Sequence, residues 1–150
     1  MVGQDASALP DGLTTDPARV RLETADVRRL GRALRLVAGR SAGDTVEVLE
    51  REYLAHASPG LRAWMTRYEL TSRTLADAVR THGPAYANLD ALADSILGLE
   101  ENLRSAFGRL LELFPRAVLP PIWFFAGDFG AGGLARPEGV LVAIERLAGQ

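Results

Sequence analysis

The sequence contains no cysteine and no lysine, and only two histidines. Without cysteine the chain cannot form a disulfide or ligate a metal through thiolate. All 17 basic residues are arginines, which excludes a phosphate-binding loop of the lysine-dependent type. The net charge is −2, so the chain has no overall positive field and we expect no nucleic-acid partner.

Long apolar runs are also missing. No stretch approaches the roughly 20 residues that a membrane-spanning helix requires. Residues 1–16 lack the basic and apolar regions of a signal peptide. We therefore expect a cytoplasmic protein with no membrane partner. With 150 residues, 47% of them apolar and 24% charged, the chain has the size and balance of one globular domain.

The pattern along most of the chain is helical. Residues 1–17 contain proline, glycine and aspartate without periodicity, which is typical of a flexible lead-in, and residues 18–150 are predicted to form a single domain. Apolar residues recurring every three or four positions predict helices after Thr24, over about 43–55, after Ser58-Pro59, and after Thr71 or Ser72.

The clearest apolar stripe runs from Leu89 to Phe114. Its regular steps predict one continuous helix over 87–114, about 40 Å long at ~1.5 Å per residue. We expect this helix to be the spine around which about five helices pack. A coiled-coil partner face is the alternative.

After Pro115 the pattern changes to short β-favouring runs at 122–126 and 140–145, separated by a glycine-rich segment. The fold class predicted is therefore α+β, mostly α, with a C-terminal two-stranded β element joined by a Gly-rich loop. The edges of these two strands would be unpaired, which predicts self-association unless the helices cover them.

The glycine-rich segment is the first candidate site. Residues 130–135 match G-x-G-x-x-A, but a dinucleotide fingerprint needs a helix to open at the loop, and here a strand-like run follows. His56 and His82 are 26 residues apart, lie near predicted helix ends, and are better explained by interactions with the last helical carbonyls than as metal ligands. Asp128 and Glu145 could flank the loop as an acid–base pair, although an exposed loop aspartate and a strand-end glutamate are the simpler interpretation.

Several short motifs occur in a recognisable order: Tyr53, the turn at 58–61, Phe114-Pro115-x-Ala117, Gly127 with Gly132-Gly133, and 139–145. In this order the chain resembles the N-terminal part of the bacterial family of predicted zinc-dependent proteases, which is similar to the gliding-motility lipoprotein B group. The resemblance covers about residues 25–145.

The resemblance implies zinc chemistry on a His-Glu-x-x-His helix that would follow the element at 139–145. No histidine follows His82, so we expect no catalytic or metal-ligating residue and no cofactor in this chain. The resemblance assigns a substrate- or partner-side role to a loop formed by Gly127, Asp128, Gly132, Gly133 and Glu145.

Three hypotheses for the function follow. The chain is a non-catalytic or truncated family member that binds a peptide or partner at a strand edge, or it is a fragment of an active zinc metallopeptidase whose metal helix lies beyond residue 150. The third is a helical ligand-binding or regulatory domain with an apolar pocket under Trp64, Trp123 and Phe125.

Overall fold

A computed structural model describes residues 9–148 of the chain. The fold is α+β and mostly α, as the sequence predicts, with a small sheet built largely from the C-terminal third. The helices are α1 (Ala25–Val37), α2 (Ala42–Glu52), α3 (Pro59–Tyr68), α4 (Ser72–Thr81), α5 (Leu89–Gly98) and α6 (Glu100–Leu113). The strands are β1 (Leu22–Glu23), β2 (Ile122–Phe125), β3 (Gly133–Arg136) and β4 (Gly139–Ala143).

The predicted lead-in lies partly outside the described residues, because residues 1–8 are not among them. The rest of it contacts the sheet end of the fold. Thr14 and Leu119 exchange two backbone hydrogen bonds, of 2.9 and 2.7 Å, and residues 17–19 form a short 3₁₀ turn against α6.

Local sequence signals set the starts of the shorter helices. Ser58 caps α3 by accepting a hydrogen bond from the Leu61 N–H, and Pro59 takes the first helical position. Thr71 and Thr74 form a reciprocal capping box at the start of α4. These helices therefore begin where the sequence predicts.

The continuous helix predicted over 87–114 is wrong. The chain turns at Leu99, whose N–H bonds to the Ile96 carbonyl three residues back, and α5 and α6 are separate helices. Gly98, which has the weakest helix propensity after proline, precedes the break. The spine prediction is wrong as well, because α6 contributes no buried residue and the core is formed by residues of α1 to α5 together with the sheet.

The two-stranded β element is also wrong. The strands form one mixed sheet in the order β1-β2-β4-β3. The two predicted runs, β2 and β4, are parallel neighbours at its centre, while β3 arises inside the glycine-rich segment and pairs antiparallel with β4. The exposed edges expected at 122–126 and 140–144 are wrong, because β4 is paired on both sides and β2 lies between β1 and β4. β1 covers only Ile122 and Trp123, and the rest of β2 is buried.

The sheet is covered where its sequence is most apolar. All four residues of β2 are buried, which is typical of a central parallel strand. On one face, Trp64 of α3 packs edge-on against Phe125, with ring centroids 5.0 Å apart, and Gly60 of α3 lies directly over Trp123. The packing fixes β2, and the loop that follows it, against the helical layer.

None of the helices within residues 9–148 combines the length and the apolar character needed to cross a membrane.

Candidate functional site: a loop held by a buried carboxylate

Glu145 lies at the centre of the candidate site and is completely buried. It follows β4, in a short 3₁₀ turn at residues 144–146. Its carboxylate accepts hydrogen bonds from the backbone N–H of Gly127 at 2.8 Å and of Phe129 at 3.2 Å. The glutamate predicted at the strand end is therefore an internal anchor for the loop after β2 and has no exposed surface.

Two tyrosine hydroxyls hold the same loop from the helical layer. Tyr53, after α2, donates to the Ala126 carbonyl at 2.9 Å, and Tyr86, in the turn before α5, donates to the Gly127 carbonyl at 2.7 Å. Both hydroxyls are buried. Donors and acceptors of consecutive loop residues are thus bonded to three side chains, which fixes the loop's position.

The tip of the loop is Phe129, which has a left-handed backbone with φ of 68°. Such a conformation is uncommon for an aromatic residue and persists where the surroundings determine it. Here the ring stacks on His82, with centroids 4.2 Å apart, and packs edge-on against Tyr86. His82 thus ends α4 and supports the loop.

The loop leaves no space at Gly127. A Cβ there would lie 3.1 Å from Glu145 Oε1 and 3.3 Å from Trp64 Nε1. The Trp64 indole N–H is buried and has no hydrogen-bond partner among the described residues. A side chain at position 127 would press on both groups, which is a steric reason for glycine at this position.

The loop is not arranged to bind phosphate. The N–H groups of Gly127 and Phe129 already point at the protein's own carboxylate. The last part of the G-x-G-x-x-A match, residues 133–135, lies in β3, so no helix opens at the loop.

The remaining candidates lie on the outer side of the loop. Asp128 is half-buried, and Gly132 and Gly133 are exposed. Gly132 accepts a hydrogen bond from the Ala143 N–H at 3.0 Å, and Gly133 begins β3. Asp128 and Glu145 are close enough for the charge of one to act on the other, but the carboxylate of Glu145 is enclosed and no shared cleft opens onto both.

β3 is the exposed edge of the sheet, and its ladder determines which groups point outward. Along an antiparallel pair of strands, residues whose backbone groups bond to the partner strand alternate with residues whose backbone groups point away from it. Since Gly132 bonds to β4, Leu134 and Arg136 do so as well. The backbone groups of Gly133 and Ala135 therefore point away from the sheet.

This edge carries little protection. Natural sheets shield their edges with charged side chains, prolines or bulges. Here Arg136 and Pro137 occur only at the far end, while Gly133 and Ala135, both exposed, present almost no side chain. Exposed backbone groups on an edge strand are the kind that an added extended chain pairs with.

A second buried carboxylate supports the site from further away. Asp26 of α1 accepts hydrogen bonds from the Ser58 N–H, at 3.3 Å to each oxygen, and pairs with Arg29. It thereby ties the start of α3 to α1. Sequence reasoning missed Asp26, although a signal existed, because it shares the apolar face of α1 with Leu30 at four-residue spacing.

The pKa values of both carboxyls are raised. Burial is the main cause for Glu145, with a smaller contribution from the charge of Asp128, while the N–H groups of Gly127 and Phe129 act in the opposite direction. Burial also raises the pKa of Asp26, opposed by Ser58 and Arg29. Ionising either carboxyl therefore costs more free energy in the folded protein than in water.

The raised pKa of Glu145 predicts a pH dependence of stability. Below the ordinary glutamate value near 4.5, the group is protonated in both folded and unfolded states. As pH rises above this value, Glu145 ionises first in the unfolded state, which lowers the free energy of unfolding. The free energy stops falling once the pH has passed the pKa of the folded state. Relative to Glu145→Gln, the wild-type free energy of unfolding should fall across this window.

Urea unfolding of both proteins between pH 3.5 and 8 measures this difference, and the titration of Asp26 cancels because both proteins contain it. If the stability of wild type relative to Glu145→Gln instead increased with pH, the two loop N–H groups would stabilise the ionised carboxylate by more than burial destabilises it.

The two histidines and the predicted aromatic pocket are the remaining candidates from the sequence. Within residues 9–148 no group of three or more histidine, aspartate or glutamate side chains is arranged to hold a metal ion. Trp64 and Phe125 are fully packed in the core, and a groove of about 720 Å³ lies elsewhere, between α2 and α4.

Comparison of the chain with protein-family models, with curated proteins and with solved structures gives no match.

Proposed function

We propose that this chain is a non-catalytic or truncated member of the predicted zinc-dependent protease family, and that it binds an extended peptide along β3. The observation that carries the proposal is the outward-facing backbone of Gly133 and Ala135 on an exposed, weakly shielded edge strand. A peptide added there gains main-chain hydrogen bonds that any sequence can make.

The loop anchored by Glu145 gives this edge its rigidity. The Ala143 N–H bonds to Gly132 immediately before β3, and Gly127 and Phe129 are fixed by the buried carboxylate a few residues earlier. A preorganised edge loses less conformational entropy when it binds than a mobile one. Cytoplasmic location is part of the same proposal.

The test starts from a phage-displayed library of random 12-residue peptides, selected on the immobilised chain. The enriched sequences are synthesised with a fluorescent label, and their affinity is measured by fluorescence anisotropy. We expect one-to-one binding in the micromolar range, typical of a small interface formed mainly by backbone bonds.

Ala135→Pro is the decisive variant. The Ala135 N–H points outward, so proline there removes no bond to β4, and proline is tolerated on edge strands. We expect its thermal stability to stay close to wild type while peptide affinity falls at least about tenfold, because one outward donor is lost and the ring obstructs the approach.

Leu134→Pro is the matched control. The Leu134 N–H is bonded to β4, so proline there should lower the melting temperature clearly. Selected peptides that bind Ala135→Pro as tightly as wild type, or a library that yields no specific binder, would overturn the proposal.

The catalytic part of the proposal has its own test. The purified chain should show no stoichiometric tight zinc binding and no peptide cleavage with zinc added. If the chain is instead a fragment of an active enzyme, the DNA that follows the Gln150 codon encodes His-Glu-x-x-His within a few dozen codons, and the same edge is the substrate side of that enzyme.

A further inference from the structure

A groove on the helical side of the described chain has a volume of about 720 Å³. It lies between the end of α1, the start of α2 and the exposed side of α4, and it shares no lining residue with the Glu145 loop or with β3. This volume falls within the range of roughly 300–1,000 Å³ that is typical of small-molecule sites. Its floor is aliphatic, formed by the half-buried side chains of Val37, Val46, Ala76 and Val79.

The groove is open because small residues line it. Ala42 and Gly43 begin α2 and Ala76 lies in the middle of α4. A Cβ added at Gly43 would meet no atom within 4 Å. Longer side chains at these positions would fill the space between the two helices, as they do deeper in the interface, where Leu49 and Leu75 are fully buried.

The rim of the groove is positively charged in a chain whose net charge is −2. Arg40, Arg73 and Arg80 line it, with Asp77 as the one acidic residue. Asp77 interacts with Arg80 at 3.5 Å. Within residues 9–148, Arg40 and Arg73 make no ion pair, so their guanidinium groups are available to an anion.

We propose that this groove binds a single-chain fatty acid, with the alkyl chain on the valine and alanine floor and the carboxylate against Arg40 and Arg73. A floor of valine and alanine side chains suits an alkyl chain, since burial of each methylene is favourable. Thr45 also lines the groove, and its hydroxyl donates to the Ser41 carbonyl at 2.9 Å. The planar guanidinium matches a carboxylate in a two-point hydrogen bond. The combination selects an anionic amphiphile over a neutral or cationic one.

The probes are octanoate, decanoate and dodecanoate below their micellar concentrations, with dodecanol and dodecyltrimethylammonium as head-group controls. Calorimetry measures affinity, and amide chemical shifts of the ¹⁵N-labelled chain locate the site. We expect one-to-one binding with shifts at Gly43 and Ala76. Affinity should rise at least about fourfold for each two-carbon extension, and dodecanol should bind at least about tenfold more weakly than dodecanoate.

Three variants test the head-group contact. Arg73→Glu should weaken dodecanoate at least about tenfold, and a glutamate in the first turn of α4 is compatible with the helix. Asp77→Asn should strengthen binding, because it removes the like charge and releases Arg80. Arg109→Glu, the same charge reversal on α6, should have no effect.

Binding of dodecanol as tight as that of dodecanoate, unchanged affinity in Arg73→Glu, amide shifts outside the groove, or preference for dodecyltrimethylammonium would each overturn the proposal. So would the absence of binding by all three fatty acids. Peptide binding at β3 is measured separately, so the failure of either proposal leaves the other unaffected.

Discussion

Gly60→Ala is expected to lower the free energy of unfolding by about 3 kcal/mol, although alanine is normally the better residue in a helix. A Cβ on Gly60 would lie 2.3 Å from Cγ and 2.5 Å from Cβ of Trp123. No real contact is that short, so α3 or the indole must move. Overpacking of this kind typically costs 1–3 kcal/mol and sometimes more.

Trp123 has little freedom to yield. Its indole N–H donates to the Glu138 carbonyl at 2.8 Å, and its Nε1 would lie 3.1 Å from a Cβ on Gly139. Moving the ring would break that bond and disturb the start of β4. The methyl group therefore acts on two elements at once, which places the expected cost at the upper end of the range.

Gly43→Ala is the matched control. Both glycines occupy the second position of a helix, but a Cβ on Gly43 meets nothing within 4 Å. This variant should gain about 0.5–1 kcal/mol from helix propensity. For a chain of this size the Gly60 variant should melt about 10 °C lower than wild type. Equal stability of the two alanine variants would show that α3 does not press on Trp123.

Gly139→Ala is expected to cost about 4 kcal/mol or more, the larger of the two effects. Gly139 has φ of +139°, a conformation that L-residues rarely adopt, and a Cβ there would lie 2.3 Å from the Pro121 carbonyl oxygen. Unfavourable dihedrals cost about 1–3 kcal/mol, and overpacking against rigid backbone adds a comparable amount.

The same change should affect the proposed function. Gly139 pairs with Arg136 at the tight turn between β3 and β4, so displacing it loosens the edge strand. Any folded fraction of Gly139→Ala should bind the selected peptides more weakly than wild type. Gly132→Ala, where a Cβ has no neighbour within 4 Å, should stay within about 0.5 kcal/mol of wild type. Unfolding in denaturant and peptide titration measure both variants.

The sequence was sufficient for features that depend on neighbours along the chain. Caps such as Ser58 and Thr71 act within three residues of themselves, and apolar periodicity predicted the helices between 25 and 81 because one turn of a helix decides it. The aromatic run at 122–125 was likewise recognised as a strand. These signals are local, and the structure agrees with them.

Features that depend on distant segments were missed. A regular apolar stripe hid the break at Leu99, since periodicity is insensitive to a single turn residue. β2 and β4 pair in parallel, and no pattern within either segment indicates which strand it will pair with. β3 was missed because a glycine-rich stretch reads as a loop until the register with β4 is known.

The candidate site shows the same division. The resemblance points to Gly127, Asp128, Gly132, Gly133 and Glu145. In the structure Glu145 bonds to the Gly127 N–H, while Gly133 begins β3. The burial of Glu145 could not be predicted, because a glutamate at the end of a strand is ordinarily solvated. Tyr86 was missed entirely, since its partner is a carbonyl 41 residues away in sequence.

The geometry of the sheet edge depends on the helical layer, because two tyrosine hydroxyls connect the two. Tyr53 and Tyr86 come from different parts of the helical layer and bond to adjacent carbonyls of the loop that leads to β3. A substitution that shifts either ring would change the orientation of β3 without altering any residue of that strand. Evolution could therefore retune what this edge accepts by changing side chains buried far behind it.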